Sequence, residues 1–495
     1  MLRELADLRE DARGLAEGLA LARYRRSAGL APATTFAGLL KAHRLAASAD
    51  GLAQAREALG NAKAEDPRRP ARVARLTALR DLLVRARALS LEPGAAQELF
   101  DSFSHPLVRP PGDAGLHGAM PPVAAFRELR FIRARDKRAE MDAAISAALQ
   151  PIDGARSAVW EAAQSALAEA GLVPAEAYQA YTSYTSGLLD GTDALVQDLG
   201  GWLLERHTGV RGGAERHDVL HLLWSPRCAS AFPRGELLRT VRRWAEMLRF
   251  DLGADGAIKL DEDDRPLKWP GARAEPIDPP WEVGLTFLPE EGPRALGRFL
   301  AAIGVAQLRA GPPGDAPPED LWLGDPAVVH ACAALLEGLL HEPEFLRRCA
   351  KAELSRDDER AIAIAGVFDA RLAAARALAS QQAHDLGLGT RAAAAHRELH
   401  ARATGADLPA GLALADLDPF GEPAFELAGR ALAARLRLFL RDRYDEDWWR
   451  NPRTATSLNA LWGRGGRPTA ADLWAEMGSP AGIDALVDEL IESCR

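Results

Sequence analysis

Apolar residues recur at helical spacing along most of the chain. In the first segment they stand at Leu2, Leu5 and Leu8, and again at Leu15 and Leu19. Steps of three or four residues place such side chains on one face of an α-helix, so the pattern predicts helix as the main secondary structure. Stretches rich in proline and glycine interrupt the pattern and indicate long loops at 104–122, 311–319 and 405–423.

One region, from about Phe250 to Pro289, departs from the helical pattern. It contains the runs DLGADGAIKLDEDDRP and WEVGLTFLP. Short apolar and β-branched runs between turns rich in Gly, Asp and Pro are typical of strands. The sequence therefore predicts a small sheet within an otherwise helical protein.

The composition is ordinary for a globular protein with a large core and disfavours nucleic acid as a partner. Of 495 residues, 47% are hydrophobic and 26% are charged. There are 61 Lys and Arg residues against 70 Asp and Glu residues, a net charge of -9. Such a balance provides no overall positive field to attract a phosphate backbone.

The cysteines and the N-terminus indicate a cytoplasmic protein. Cys228, Cys332, Cys349 and Cys494 are scattered without CxxC spacing, which favours reduced thiols over a disulfide framework or a cysteine zinc site. The first residues, MLRELADLRED, lack the apolar core of a signal peptide. Because no stretch approaches the roughly 20 apolar residues needed to cross a bilayer, we expect no membrane association.

The run RHDVLHLLW carries a candidate zinc motif. His217 and His221 stand four residues apart, and Asp218 takes the place of the catalytic glutamate in zinc peptidase helices. With Glu246 as a third ligand, this set would form an active site in which Asp218 acts as general base. Aspartate is one methylene shorter than glutamate, however, and would retract the base by about 1.5 Å, a displacement that can cost a hundredfold in rate.

Histidine pairs at this spacing also arise by chance. A chain with 11 histidines in 495 residues should contain about 0.24 such pairs, and this one has a second pair at His396 and His400. The structural interpretation of the first pair is solvated or capped histidines at a helix end. The second pair follows an alanine run and neighbours Arg397 and Glu398, which is typical of a solvated helix face.

Downstream, the run DEDDRPLKWPGARAEPIDPPWEVGLTFLPEEGPRALGRFLAAIGVAQ resembles the thimet oligopeptidase and oligoendopeptidase-F-like zinc metallopeptidases, and in particular their bacterial offshoots. In that family a strand region leads through a second strand into the helix that bears HExGHAQ. This chain keeps the residues Asp264, Arg265, Pro266 and Lys268, the strand 283–288, and Gly304, Ala306 and Gln307 on the helix.

The residues that carry the family's chemistry are absent from the matching positions. The resemblance places Ala301 and Val305 at the two histidine positions and Ala302 at the glutamate position. The run LGDPAVVHACAALLEGLLHEPEFLRR is similar to the helix of the third ligand, with His330 at the ligand position; Glu337 and Gly338 match the helix end. Methyl groups neither bind zinc nor accept a proton, so the resemblance implies a degenerate site.

The resemblance covers about 200 to the end of the chain and places HDVLH on a structural segment outside the metal helix. It implies a mainly α fold with two helical lobes around a deep groove and a small antiparallel sheet near 250–290. The expected domains are an N-terminal helical lobe at 1–200 and a metallopeptidase-like lobe at 201–495. Within the second lobe we expect, besides the sheet, the former metal helix at 295–310, the former third-ligand helix at 325–340 and closing helices at 420–495.

These residues predict a catalytically inactive metallopeptidase homologue that requires no cofactor. Its groove would bind peptides, or its surface would pair with a protein such as an active relative. The alternative is an active zinc peptidase that uses the relocated site at 217–221. A non-peptidase hydrolase that reuses the cleft remains a third hypothesis, for which the sequence offers no nucleophile.

Overall fold

The structure of the chain is a computed structural model that describes residues 2–65, 70–105, 107–109, 118–209, 213–250, 252–253 and 256–495. Parts of two sequence predictions therefore lie outside the described residues, namely 106 and 110–117 in the first expected loop and 251 and 254–255 in the expected strand region.

Helices make up most of the molecule, as the apolar spacing predicts. Those of the N-terminal part are α1 (Leu2–Ser27), α2 (Phe36–Ala42), α3 (Ala49–Glu65), α4 (Pro70–Leu91), α5 (Pro93–Asp101), α6 (Pro122–Leu129), α7 (Arg135–Leu149) and α8 (Asp153–Glu169). Those that follow, up to the middle of the chain, are α9 (Pro174–Leu195), α10 (Gly201–Thr208), α11 (Arg216–Trp224), α12 (Leu237–Leu248), α13 (Pro293–Ala310), α14 (Pro318–Trp322) and α15 (Pro326–Glu337). The remainder are α16 (Pro343–Phe345), α17 (Arg356–Leu386), α18 (Thr390–Thr404), α19 (Glu422–Tyr444), α20 (Pro452–Trp462), α21 (Ala470–Glu476) and α22 (Asp484–Ser493).

Local sequence signals set the ends of the two helices that matter most below. Helix α13 begins with Pro293 after Gly292, and α15 begins with Pro326 after Asp325. Proline suits the first helical turn because its missing N–H has no partner there in any case. The Asp325 side chain also accepts a hydrogen bond from the backbone N–H of Ala327, which caps α15.

The expected small sheet is present, but it is mixed and not wholly antiparallel. Its strands are β2 (Ile258–Asp261), β3 (Gly271–Asp278) and β4 (Glu282–Leu288), in the order β2-β4-β3. Strand β4 runs antiparallel to β3 and parallel to β2. The long connection at 262–270 carries the chain to the far edge before β3 begins, so β2 pairs with the opposite side of β4. A second, two-stranded sheet joins β1 (Ala214–Glu215) to β5 (Ala406–Asp407).

Apolar side chains gather in two main cores. One contains buried residues from Leu8 to Ala170, and the larger one contains buried residues from Leu188 to Cys494, including Leu285 and Phe287 of β4. We call residues 2–170 the N-terminal part and residues 188–495 the C-terminal part. The domain division at 200 stays a prediction.

Ion pairs join the two parts with one prevailing polarity, because in nearly all of them an arginine of the N-terminal part contacts a carboxylate of the C-terminal part. Among the described residues these pairs are Arg9–Glu319, Arg23–Glu275, Arg75–Asp320, Arg85–Glu422, Arg127–Asp264, Arg127–Glu290, Arg130–Glu290, Arg135–Asp218 and Arg138–Asp218. The pair Arg216–Asp142 has the opposite polarity.

One described segment, Pro318–His341, is long and apolar enough to span a membrane by length and composition, contrary to the expectation that no stretch would be. However, 56% of its most apolar window is buried inside the protein. It contains α14 and α15, and α15 packs against α13 and α19. The segment therefore has the burial and the packing of a core helix.

Candidate functional site

Helix α13 spans the segment expected to be the former metal helix. Ala301 and Val305 lie one helical turn apart and are both partly exposed, whereas Ala302 is buried. Arg298, one turn earlier on the same face, is 38% exposed. This face of α13 therefore exposes two aliphatic side chains and one guanidinium group to solvent.

His330, at the position of the third ligand, is already bound to a carboxylate. Its Nε2 lies 2.9 Å from Oε1 of Glu422 at the start of α19, and Glu422 also pairs with Arg85 of α4 at 3.2 Å. Burial alone would raise the pKa of Glu422, but the hydrogen bond from His330 and the charge of Arg85 lower it to about 2. Glu422 is therefore ionised at neutral pH, and its charge holds the His330 ring.

These side chains are partly exposed where the two parts of the molecule meet, and we call this region the groove. Arg85 is 39% exposed, His330 27% and Glu422 47%, although all three belong to helices that pack into a core. Because α4 belongs to the N-terminal part and α15 and α19 to the C-terminal part, the Arg85–Glu422 pair spans the groove.

Two glycines set the spacing of the helices beneath this groove. A Cβ atom built on Gly304 of α13 would lie 2.1 Å from the carbonyl oxygen of Cys332 in α15. A Cβ on Gly429 of α19 would lie 2.4 Å from the Cβ of His330. The backbones of α13, α15 and α19 are thus closely packed where His330 is held. Of these two glycines, only Gly304 was identified from the sequence.

An ionic network lies beside the groove, and no sequence motif indicates this network. Asp369 of α17 pairs with Arg294 at 2.7 Å, with Arg430 at 2.8 Å and with Arg298 at 3.6 Å. Burial alone would raise the pKa of Asp369, but these arginines hold it well below its ordinary value. The network adjoins a cavity of about 70 Å³ that His341 also lines. Its members are scattered over α13, α17 and α19, so only the fold brings them together.

The HDVLH segment forms helix α11, and its aspartate has a structural role. Asp218 accepts a hydrogen bond from the backbone N–H of Glu215 as part of a capping box, and it pairs with Arg135 at 2.9 Å and with Arg138 at 3.3 Å. Burial alone would raise the pKa of Asp218, but the hydrogen bonds from His217 and Arg135 hold it far below its ordinary value. A carboxylate this strongly stabilised as an anion is a poor general base.

The structure does not assemble the relocated zinc site. Over the described ranges, which include His217, His221 and Glu246, no three His, Cys, Asp or Glu side chains converge in a way that could hold a metal ion. His217 is buried within hydrogen-bonding distance of Glu215 and Asp218. Glu246 is exposed on α12.

The expectation of a solvated face for His396 and His400 is wrong. Both rings are buried, and each Nδ1 contacts a backbone carbonyl oxygen, that of Ala413 at 2.6 Å and that of Ala406 at 3.0 Å. Burial lowers the pKa of both, that of His400 to about 4. They are neutral core histidines at pH 7, because the residues after α18 fold back over this helix face.

Comparisons with known proteins support the fold. No family model and no curated protein sequence matches the chain. Among solved structures, the BsuCP crystal structure matches with a TM-score of 0.60 at 12% identity, covering 100% of this chain and 99% of that one. The M32 carboxypeptidase from Deinococcus radiodurans R1 matches with a TM-score of 0.53 at 15% identity, covering 99% of each chain.

A putative oligoendopeptidase F from Bacillus anthracis str. Ames matches with a TM-score of 0.58 at 10% identity, covering 90% of this chain and 82% of that one. The prediction of a mainly α, metallopeptidase-like fold with a small sheet is thus confirmed. At these identities the likeness concerns the fold, and activity has to be argued from the residues themselves.

Proposed function

We propose that this protein is a catalytically inactive relative of the metallopeptidases whose groove binds peptides without cleaving them. The observation that carries the proposal is the groove-facing surface of α13. A catalytic zinc ion needs three protein ligands and a water-activating base, whereas Ala301, Ala302 and Val305 have only hydrocarbon side chains.

The surroundings of these positions support the same conclusion. His330 donates its Nε2–H to Glu422, so the remaining candidate ligand is oriented by an ion pair network that includes Arg85. The groove keeps polar side chains that can bind the amide groups and charged side chains of an extended peptide. A segment of a protein partner, such as an active relative, would be bound by the same groups.

Metal content and peptidase activity of the purified chain test this proposal. We expect zinc well below stoichiometric amounts by mass spectrometry, and no cleavage of quenched fluorescent oligopeptides under conditions where the same labelled peptides bind. Stoichiometric zinc together with chelator-sensitive cleavage would contradict the proposal. If His221→Ala then removed both, the relocated site at 217–221 would be the active one.

A reconstruction variant tests the assignment of the former ligand positions. Ala301→His, Ala302→Glu and Val305→His together with His330→Glu restore the chemistry of a zinc site on α13 and α15. Since Ala301 and Val305 are partly exposed, their replacements can extend into the groove. We expect this variant to bind zinc, which calorimetry measures directly.

The matched control replaces Ala301 and Val305 by Gln, which has similar size but is a poor zinc ligand. A folded reconstruction variant that binds zinc no better than the control would refute the placement of the former site on this face of α13. The far-ultraviolet circular dichroism spectrum establishes folding in each case.

A further inference from the structure

Two arginines beside the groove lack the carboxylate partner that most interface arginines have. Arg26 lies near the end of α1 and Arg273 lies on β3. Among the residues that the structure describes, neither has a carboxylate oxygen within 4.0 Å, and neither donates a side-chain hydrogen bond to the protein. Arg23, one helical turn before Arg26, illustrates the contrast, because it pairs with Glu275 at 2.8 Å.

Aromatic rings hold both guanidinium groups in place. Arg26 lies 4.7 Å from the ring centroids of Phe100 and Phe103, and Arg273 lies 4.7 Å from that of Trp269. The Phe103 and Trp269 rings meet edge to face at 5.0 Å, so the two cations rest on one continuous aromatic cluster. Stacking fixes the plane of a guanidinium group and leaves its N–H groups available to a ligand.

A third arginine extends this positive surface to α13. Gly271 lies two residues before Arg273 and on the same side of β3, and a Cβ atom built on it would be 3.8 Å from the Cβ of Arg298. Arg298 lies 3.6 Å from Asp369, which is shared with Arg294 and Arg430, and the charge of Glu337 also acts on Arg298. The surface therefore runs from Arg26 through Arg273 to Arg298, one turn before the former metal positions.

Nearby carboxylates offset this charge only in part. Glu275 is bound to Arg23, and Glu422 is bound to His330 and Arg85. Asp101 attracts Arg26 from a longer distance and accepts a hydrogen bond from Gln97. Burial and the charge of Arg273 lower the pKa of Arg26 to about 10, which indicates a cation without full compensation. A partly buried cation of this kind is stabilised when an anion binds to it.

We propose that Arg26, Arg273 and Arg298 bind the side-chain carboxylates of an acidic peptide. This inference rests on the proposed function, because it names the kind of peptide that the groove would take. The three cations are carried by α1, β3 and α13 and are thus spread along the surface. A run of acidic side chains can satisfy several of them at once, whereas a single terminal carboxylate cannot.

Binding of two labelled peptides tests the inference. The probes are a hexamer of glutamate and a hexamer of glutamine, both N-acetylated and C-terminally amidated, so that only side chains differ in charge. By fluorescence anisotropy we expect the glutamate peptide to bind at least about tenfold more tightly, the effect of one or more charge-assisted hydrogen bonds. The preference should shrink as salt is raised, because exposed charges are screened.

Single substitutions show which arginines cause the preference for the glutamate peptide. Arg273→Gln should remove most of the preference, and Arg26→Gln should reduce it. The matched control is Arg239→Gln, which changes the net charge equally at a side chain that is 68% exposed and pairs with Glu236 of its own segment. Since Arg273 has no ionic partner to leave behind, its variant should keep the wild-type melting temperature, and Arg26→Gln provides a second test if it does not.

The outcomes separate the two proposals. Equal affinity for both peptides, or an equal loss in the Arg239→Gln control, would overturn the acidic-peptide inference and leave the peptide-binding groove standing. If neither peptide binds, the proposed function fails, and the inference fails with it. Free glutarate that competes as well as the glutamate peptide would show a site for a small dicarboxylate and would also overturn the inference.

Discussion

Replacing Gly304 by alanine tests the close packing that positions the candidate site. The new Cβ would lie 2.1 Å from the carbonyl oxygen of Cys332 and 2.8 Å from its carbonyl carbon, whereas real Cβ atoms essentially never approach within 3.0 Å. Helices α13 and α15 would have to separate by about 0.9 Å, the difference between 3.0 and 2.1 Å. The atom in the way belongs to the backbone in the middle of α15, so no side chain can rotate aside.

The expected cost follows from two opposing effects. Overpacking of a core costs about 1–3 kcal/mol, and a contact with backbone belongs at the upper end of that range. Alanine also favours helix over glycine by about 1 kcal/mol. We therefore expect Gly304→Ala to lower the free energy of unfolding by about 2 kcal/mol, measured from urea and thermal unfolding followed by circular dichroism.

A glycine-to-alanine substitution at an uncrowded helix position should instead raise the free energy of unfolding. Gly60 lies in α3, is exposed, and has nothing within 4 Å of the position that a Cβ atom would take. Gly60→Ala should therefore stabilise the protein by about 0.5–1 kcal/mol through helix propensity alone. If Gly304→Ala matched or exceeded wild type in stability as Gly60→Ala does, the backbone contact between α13 and α15 would be refuted.

Two further measurements address the histidine motifs. Asp218→Asn leaves Arg135 and the buried Arg138 without their anion and should destabilise the protein by about 3 kcal/mol; an unchanged melting temperature would show that Asp218 is not the structural carboxylate described here. Burial lowers the pKa of His400 from 6.5 to about 4, so protonation of this ring favours the unfolded chain. The contribution of the neutral ring to stability is therefore complete above pH 6.5 and falls by about 3 kcal/mol as the pH drops towards 4. Between pH 7.5 and 5 the melting temperature of His400→Gln should therefore fall less than that of wild type, and equal decreases would contradict the assignment.

The sequence predicted the fold well where periodicity or a resemblance carried the signal. Helical spacing anticipated most elements, and the resemblance anticipated a helix over the segment of α13. The pairing of β2 with β4 could not be predicted, because a long connection leaves open which edge of a sheet a strand joins. The wrong interpretation of His396 and His400 has a similar cause, since spacing shows which residues share a helix face but not what covers that face.

From the sequence, the candidate site could be predicted only through the zinc ligands and the general base that it lacks. Ala301 and Val305 were found because a resemblance supplied positions to compare. Nothing in the sequence pointed to Glu422 as the partner of His330, since 92 positions separate them. The unpaired Arg26 and Arg273 were equally hidden, because a lone arginine shows its partner, or the lack of one, only when the chain is folded.

Nearly all ion pairs between the two parts have their carboxylate on the C-terminal part, so acid weakens the contact mainly by protonating that part. Guanidinium groups keep their charge at every accessible pH, whereas a carboxylate loses its charge below its pKa, which is about 2 for Glu422 and far below the ordinary value for Asp218. In strong acid the N-terminal helices would therefore still present a row of cations, now facing neutral groups. The apolar contacts of Leu408 and Leu412 with the N-terminal part would then carry most of the contact between the two parts, so strong acidification should weaken that contact and widen the cleft.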